Sequence, residues 1–151
     1  MKDKTIDYIL RATWQAVTKM YNEQAAKYES TMATGFALLS IDPEGGTPST
    51  ALGPKMGMEA TSLSRTLKTM EDRGLIERKP NPDDGRGVLI YLTEDGKEKR
   101  DYSKDRVIKF NEAIRTKVSE EKIDHFYEVM ETINDLIQNK KIYNQKETVL
   151  K

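Results

Sequence analysis

Between Glu59 and Thr93 the periodicity of the chain changes twice, and few folds accommodate that order. Leu63, Leu67 and Met70 recur at i, i+4 and i+7, which marks one face of a helix running from Glu59 to Arg73. Gly74 stands where a helix end favours a residue free to adopt positive φ. The runs Leu75-Ile76-Glu77-Arg78-Lys79 and Val88-Leu89-Ile90-Tyr91-Leu92-Thr93 then read as two strands. The stretch between them, Pro80 to Gly87, is dense in turn formers, so the strands are expected to form a hairpin with a long tip. A helix that stops on a glycine and feeds a hairpin must lay its apolar stripe against that hairpin or against neighbouring helices.

The flanking segments supply such neighbours. Ile6, Ile9, Leu10, Thr13, Val17 and Met20 predict a long amphipathic helix from about Asp3 to Tyr28. Thr34 to Ile41 is a short, strongly apolar helix that ends at Asp42-Pro43-Glu44-Gly45-Gly46. Thr47 to Gly57 is the next candidate helix. Gly53-Pro54 lies inside it, and proline removes a backbone donor, so a short or distorted helix is expected. From Glu94 onward the pattern is helical again, with one stripe through Val107, Phe110, Ile114 and Val118. After a break near Ser119, which can cap the next turn, a second stripe runs through Ile123, Phe126, Met130, Ile133 and Ile137. The fold class expected is mainly α with a small β-hairpin. It is a winged helix-turn-helix over residues 31–97, flanked by long terminal helices over 1–30 and 98–143, with a flexible tail at 144–151. The terminal helices carry more apolar stripe than so small a core needs, which points to pairing with a second copy of the chain.

Composition removes several classes of function. The 151 residues contain no cysteine and one histidine, His125, so disulfides, thiol catalysis and a Cys- or His-rich metal site are excluded, and no cofactor is expected. No stretch approaches the length of a membrane span, and the N-terminus lacks the apolar core of a signal peptide, so a cytoplasmic protein without membrane contact is expected. The formal net charge is zero, which weighs against bulk attraction to nucleic acid but leaves open a cationic face. The acidic pairs Asp83-Asp84 and Glu120-Glu121 suit turns and helix starts, and Gly45-Gly46 lacks the Lys-Ser/Thr of a phosphate loop. No set of nucleophile, base and orienting group is visible, so an enzyme is not expected.

Placed on a wheel at about 100° per residue, the Glu59–Arg73 helix turns Leu63, Leu67 and Met70 inward. Thr61, Arg65 and Lys68 point outward, with Ser62, Ser64 and Thr69 on the flanks. A recognition helix needs such a division. One side packs, and the other presents hydroxyls and cations that can meet base edges and phosphates. An ordinary solvated helix shows the same division. In the hairpin, Arg86 lies in the Gly-flanked tip Asp84-Gly85-Arg86-Gly87, where a long cation can enter a minor groove and Asp84 can fix the loop. An exposed arginine on a plain turn would look alike.

The joint spacing is more specific than either piece. The runs Ala60-Thr61-Ser62-Leu63-Ser64-Arg65, Leu67 to Arg78 (LKTMEDRGLIER), Asp84-Gly85-Arg86 and Leu89 to Gly96 (LIYLTEDG) resemble the MarR family of bacterial regulators. The family shows a Ser/Thr-rich start to the recognition helix, a Gly-Leu-(Ile/Val) turn, an Asp-x-Arg wing tip and Leu-Thr-x-x-Gly opening the next helix. The close match covers roughly Leu52 to Gly96. The resemblance implies an obligate homodimer on double-stranded DNA, at a pseudo-palindromic operator. It implies that Thr61, Ser62, Ser64 and Arg65 enter the major groove and that Arg86 reaches the minor groove; Lys68 and Thr69, from the wheel, are further candidate DNA contacts. It also implies a small-molecule effector bound between the terminal helices and the winged lobe, where Trp14, Tyr21 and Tyr28 are candidate pocket residues, with core packing as their plainer role. Gly53-Pro54 departs from the family pattern, which prefers Leu-Ala followed by polar helix formers. The leading expectation is therefore a ligand-responsive repressor. The competing one is a winged-helix module for protein interaction that has lost DNA binding, which the neutral charge would suit.

Overall fold

The computed structural model describes residues 4–56 and 60–143, with the side chain of Arg86 excepted. Met58 and Glu59, and the tail at 144–151, lie outside the described residues. The chain divides into two compact units, Met1–Ile108 and Lys109–Lys151. The first holds α1 (Ile6–Ala26), α2 (Met32–Ser40), β1 (Thr47–Pro48), α3 (Ser49–Met56), α4 (Ala60–Asp72), β2 (Ile76–Asn81) and β3 (Asp84–Leu92). Helix α5 (Glu94–Arg115) contains the division, and α6 (Glu120–Gln138) belongs to the second unit. This is the mainly helical winged helix-turn-helix that the sequence predicts.

Local chemistry sets the helix starts. Thr5 accepts from the Tyr8 amide at 3.3 Å, Thr31 from the Thr34 amide at 3.2 Å, and Ser119 from the Lys122 amide at 3.3 Å. Each hydroxyl satisfies one donor that the first helical turn leaves without a partner. The stripe of α4 is buried as predicted: Leu63, Leu67 and Met70 join Ala37, Leu38, Ile41, Leu52, Leu75, Ile76 and Ile90 in one core.

Two expectations need correction. Thr47 and Pro48 are not helical. They pair with Ile90 and Leu89 as a short edge strand, giving a three-stranded sheet ordered β1-β3-β2. Pro48 disfavours helical backbone at Thr47, and proline is tolerated at a sheet edge. Thr47 also accepts from the Asp42 amide at 2.9 Å, closing the preceding loop. The wing tip is also shorter than predicted. Asn81 pairs directly with Asp84, so the turn is Pro82-Asp83, fixed by Asn81 accepting from the Asp83 amide at 3.0 Å. One step along β2, from Pro80 to Asn81, corresponds to four along β3, from Val88 to Asp84. Residues 85–87 therefore bulge from the ladder. Pro54 sits inside α3, and that helix is eight residues long, short as expected.

The corner between α4, β2 and α5 accounts for the Gly-Leu-Ile and Leu-Thr-x-x-Gly motifs. Gly74 has φ +73°. Its amide donates to Glu71 at 3.0 Å and that of Leu75 to Met70 at 2.9 Å, a Schellman closure of α4. Thr93 then joins the corner to the next helix. Its amide donates to the Leu75 carbonyl at 3.1 Å and its hydroxyl to the Gly74 carbonyl at 2.6 Å. The same hydroxyl accepts from the Gly96 amide at 3.0 Å and so caps α5. Gly96 is buried against the Leu75 carbonyl, where a Cβ would collide with backbone. We predict that Gly96→Ala lowers stability by about 3 kcal/mol, the upper range for overpacking, read as a drop in the urea unfolding midpoint.

Candidate nucleic-acid interface

Helix α4 presents the face the wheel describes. Thr61, Ser62, Ser64, Arg65, Lys68 and Thr69 are all exposed, opposite the buried stripe. Thr66 and Thr69 turn their hydroxyls back onto the carbonyls of Ser62 and Arg65, each at 3.0 Å. Their oxygens remain free to accept a further hydrogen bond. Lys68 pairs with Asp72 at 3.0 Å, and that hydrogen bond holds its ammonium above the usual lysine range. Both partners are well exposed, so the pair is weak and readily exchanged for a phosphate. The guanidinium of Arg65 makes no ion pair or hydrogen bond among the described residues, which leaves it available.

In the wing, Arg86 occupies the middle of the bulge at 85–87, between Gly85 and Gly87. Its side chain lies outside the described residues. Asp84 begins β3, and one carboxylate oxygen approaches Gly87 so closely that a Cβ there would lie 3.2 Å from it. The wing base is held to the recognition helix by Arg78, whose Nε lies 3.3 Å from a carboxylate oxygen of Glu71.

The first unit also holds a second feature. An apolar cavity of about 50 Å³ is lined by Tyr21 of α1, Tyr28 of the turn that follows it, Phe36 of α2, and Tyr102 and Arg106 of α5. Tyr21 meets Phe36 edge-on with ring centroids 5.7 Å apart, and partial burial raises its phenol above the ordinary tyrosine range. Tyr28 and Tyr102 lie 4.0 Å apart, and Lys99 and Arg106 sit over their respective rings at 5.3 and 5.1 Å. The Tyr102 hydroxyl donates to the Gln24 carbonyl at 3.3 Å. The structure thus brings together two of the three aromatic candidates. Trp14 is 54% exposed and does not line the cavity. Phe36, Tyr102 and Arg106 were not singled out from the sequence, and no local motif marks them.

Comparison with known proteins agrees with this geometry. The model of the MarR family matches residues 31–88. Over 89 residues the chain is 36% identical to the organic hydroperoxide resistance transcriptional regulator of Bacillus subtilis, a match that covers 59% of this chain and 60% of that protein's length. Its fold resembles that of S. aureus MepR in a DNA complex, with TM-score 0.80 at 17% identity over 89% of this chain and 99% of that one. It also resembles the PcaV transcriptional regulator from Streptomyces coelicolor in complex with its natural ligand, with TM-score 0.75 at 20% identity, covering 87% and 93% of the two chains. Its winged-helix segment, residues 31–88, is thus similar to the MarR family.

Proposed function

We propose that the chain is a sequence-specific DNA-binding transcription regulator that acts in the cytoplasm as a homodimer on a pseudo-palindromic operator. The observation that carries this reading is the two-sided α4. Its stripe is fixed in the core while Thr61, Ser62, Ser64, Arg65, Lys68 and Thr69 face solvent. Two copies would place two such helices in successive major grooves, with each wing offering Arg86 to the adjoining minor groove. Lys68 and Thr69 would serve phosphates, and Asp84 would hold the wing tip.

Homodimerisation is supported by apolar surface that one chain leaves uncovered. Within α1, Ile6, Leu10 and Trp14 are exposed. Within α6, Phe126, Val129, Leu136 and Ile137 are exposed, with Phe126 at 55% and Ile137 at 56%. Scattered apolar residues are normal on surfaces, but a stripe at helical spacing marks an interface. The cavity lined by Tyr21 and Tyr28 is the candidate effector site, and occupancy there would repress or release DNA binding by favouring one dimer geometry. The chain has no cysteine, so a response to hydroperoxide here would have to proceed without a thiol.

Selection from a random duplex library tests the central reading. A regulator enriches a motif with half-sites about one helical turn apart, whereas an interaction module without DNA binding enriches none. On the enriched duplex, Arg65→Ala and Arg86→Ala should each weaken binding by about 1–3 kcal/mol, measured by anisotropy at fixed salt. Unchanged affinity for Arg86→Ala would remove the wing from the interface. Sedimentation equilibrium should give twice the chain mass, and Phe126→Asp should shift it to the monomer. A wild-type chain that is monomeric at micromolar concentration rules out the dimer.

A further inference from the structure

Arg73 immediately follows α4 and carries an unusual long-range contact. Its guanidinium donates through one terminal nitrogen to the carbonyl of Glu29, and through the other to the carbonyl of Tyr28 at 3.5 Å. Both carbonyls belong to the turn that joins α1 to α2. That turn is tightly built. Lys27, Tyr28 and Glu29 donate to Gln24, Ala25 and Ala26 in succession, and the Ser30 amide returns to Ala25 at 3.0 Å. Glu29 has φ +55°, a left-handed conformation that a residue with a Cβ adopts only under constraint. The last turn of α1 contains no basic residue. Arg73, more than forty residues later in the chain, therefore places a cation beside the negative end of the α1 dipole.

The same turn faces the cavity. Tyr28 is 44% exposed and its ring rests on Tyr102, while Ser30, Thr31 and Met32 complete the rim. At about 50 Å³ the cavity has room for little more than water. An apolar void of about 150 Å³ is the scale that admits a benzene ring. A ring-sized guest held wholly inside would need a lining group to move, and Tyr28 is the most exposed of the four lining rings. The ring and the carbonyls that hold Arg73 belong to one short turn, so a guest that displaces the Tyr28 backbone together with its ring also shifts those carbonyls.

We propose that Arg73 is a positioning residue that transmits the state of this cavity to the recognition helix. With the cavity closed, the fork of Arg73 holds the end of α4 against the end of α1. With the Tyr28 ring displaced, the two carbonyls leave the fork and α4 loses that reference to the terminal helix. Lysine does not substitute fully, because a single ammonium lacks the planar pair of donors. The inference rests on the DNA-binding reading of α4, and it adds the route by which an effector would act.

Three measurements on the full chain test it: hydrogen–deuterium exchange, DNA affinity on the library-selected duplex, and a double-mutant cycle in which Tyr28→Ala stands in for ring displacement. Arg73→Gln should speed amide exchange across residues 28–34 about tenfold while leaving α6 unchanged. It should weaken DNA binding about fivefold, the lower end of allosteric coupling, and Arg73→Lys should fall between it and the wild type. Tyr28→Ala should weaken binding to a similar extent, and the double variant should be no weaker than the worse single within about twofold, because both cut one route. Effects that multiply, or exchange at 28–34 that does not change in either Arg73 variant, would overturn the proposal. A wild-type chain that recovers no duplex overturns the DNA-binding reading itself. A chain that binds DNA but shows multiplying effects overturns only the role of Arg73.

Discussion

The contact on which the first unit depends is the one between Gly96 and the carbonyl of Leu75. It brings the start of α5 onto the closed end of α4 without an intervening side chain. Because Thr93 bonds Gly74 and Leu75 while capping α5, one residue fixes three things at once: where the recognition helix stops, where the wing returns, and where the next helix begins. The donors and acceptors at this corner are backbone groups or a single hydroxyl, and each has a partner. An error of one residue in register at β3 would move Thr93 away from the corner and turn Ile90 out of the core. The wing is therefore not an appendage. Its base is set by the same bonds that end α4.

Neutral net charge does not preclude the proposed interface with a polyanion, because charge is segregated along α4 rather than absent. The acids Glu71 and Asp72 lie in its last turn, where they engage Arg78 and Lys68. The described first turn has no acid, and the guanidinium of Arg65 stands in the middle of the exposed face without a partner among the described residues. Within a screening length of about 8–10 Å a phosphate would meet that face rather than the chain's overall charge. The exposed Lys68–Asp72 pair contributes little to folding, so its ammonium can change partners at small cost.

Much of this was legible in the sequence because the relevant signals are local and repeated. The Leu63, Leu67 and Met70 stripe, the Gly74 stop and the Ser119 cap each declare themselves within a few residues. What escaped depends on partners distant in the chain or too short to show a period. Two residues of β1 cannot display alternation, and only pairing with Ile90 and Leu89 makes them a strand. The tip looked long because Gly85 and Gly87 read as turn residues, whereas they flank a bulge beyond a two-residue turn. Trp14, Tyr21 and Tyr28 share a spacing of seven, yet seven residues advance a helix by about 10 Å. Only the C-terminal part of α1 reaches the aromatic residues of α2 and α5, so Trp14 lies beyond the cavity. Phe36 and Tyr102 come from elements that no motif connects.

The small cavity and the exposed stripes bear on the same question, which is what the isolated chain leaves unfinished. A void lined by four aromatic rings but little larger than water is not a cavity shaped around a permanent guest. One of those rings, Tyr28, is itself nearly half exposed, so its proposed movement would exchange one solvent-facing arrangement for another. Differential affinity for an open form then need overcome only the stacking on Tyr102 and the hydrogen bonds of the turn, interactions of about a kilocalorie each. That range matches the coupling free energies by which a ligand at one site alters affinity at another. Tyr28 is at once stacked on Tyr102 through its ring and tied to Arg73 through its carbonyl, so the proposed effector would act on both contacts together.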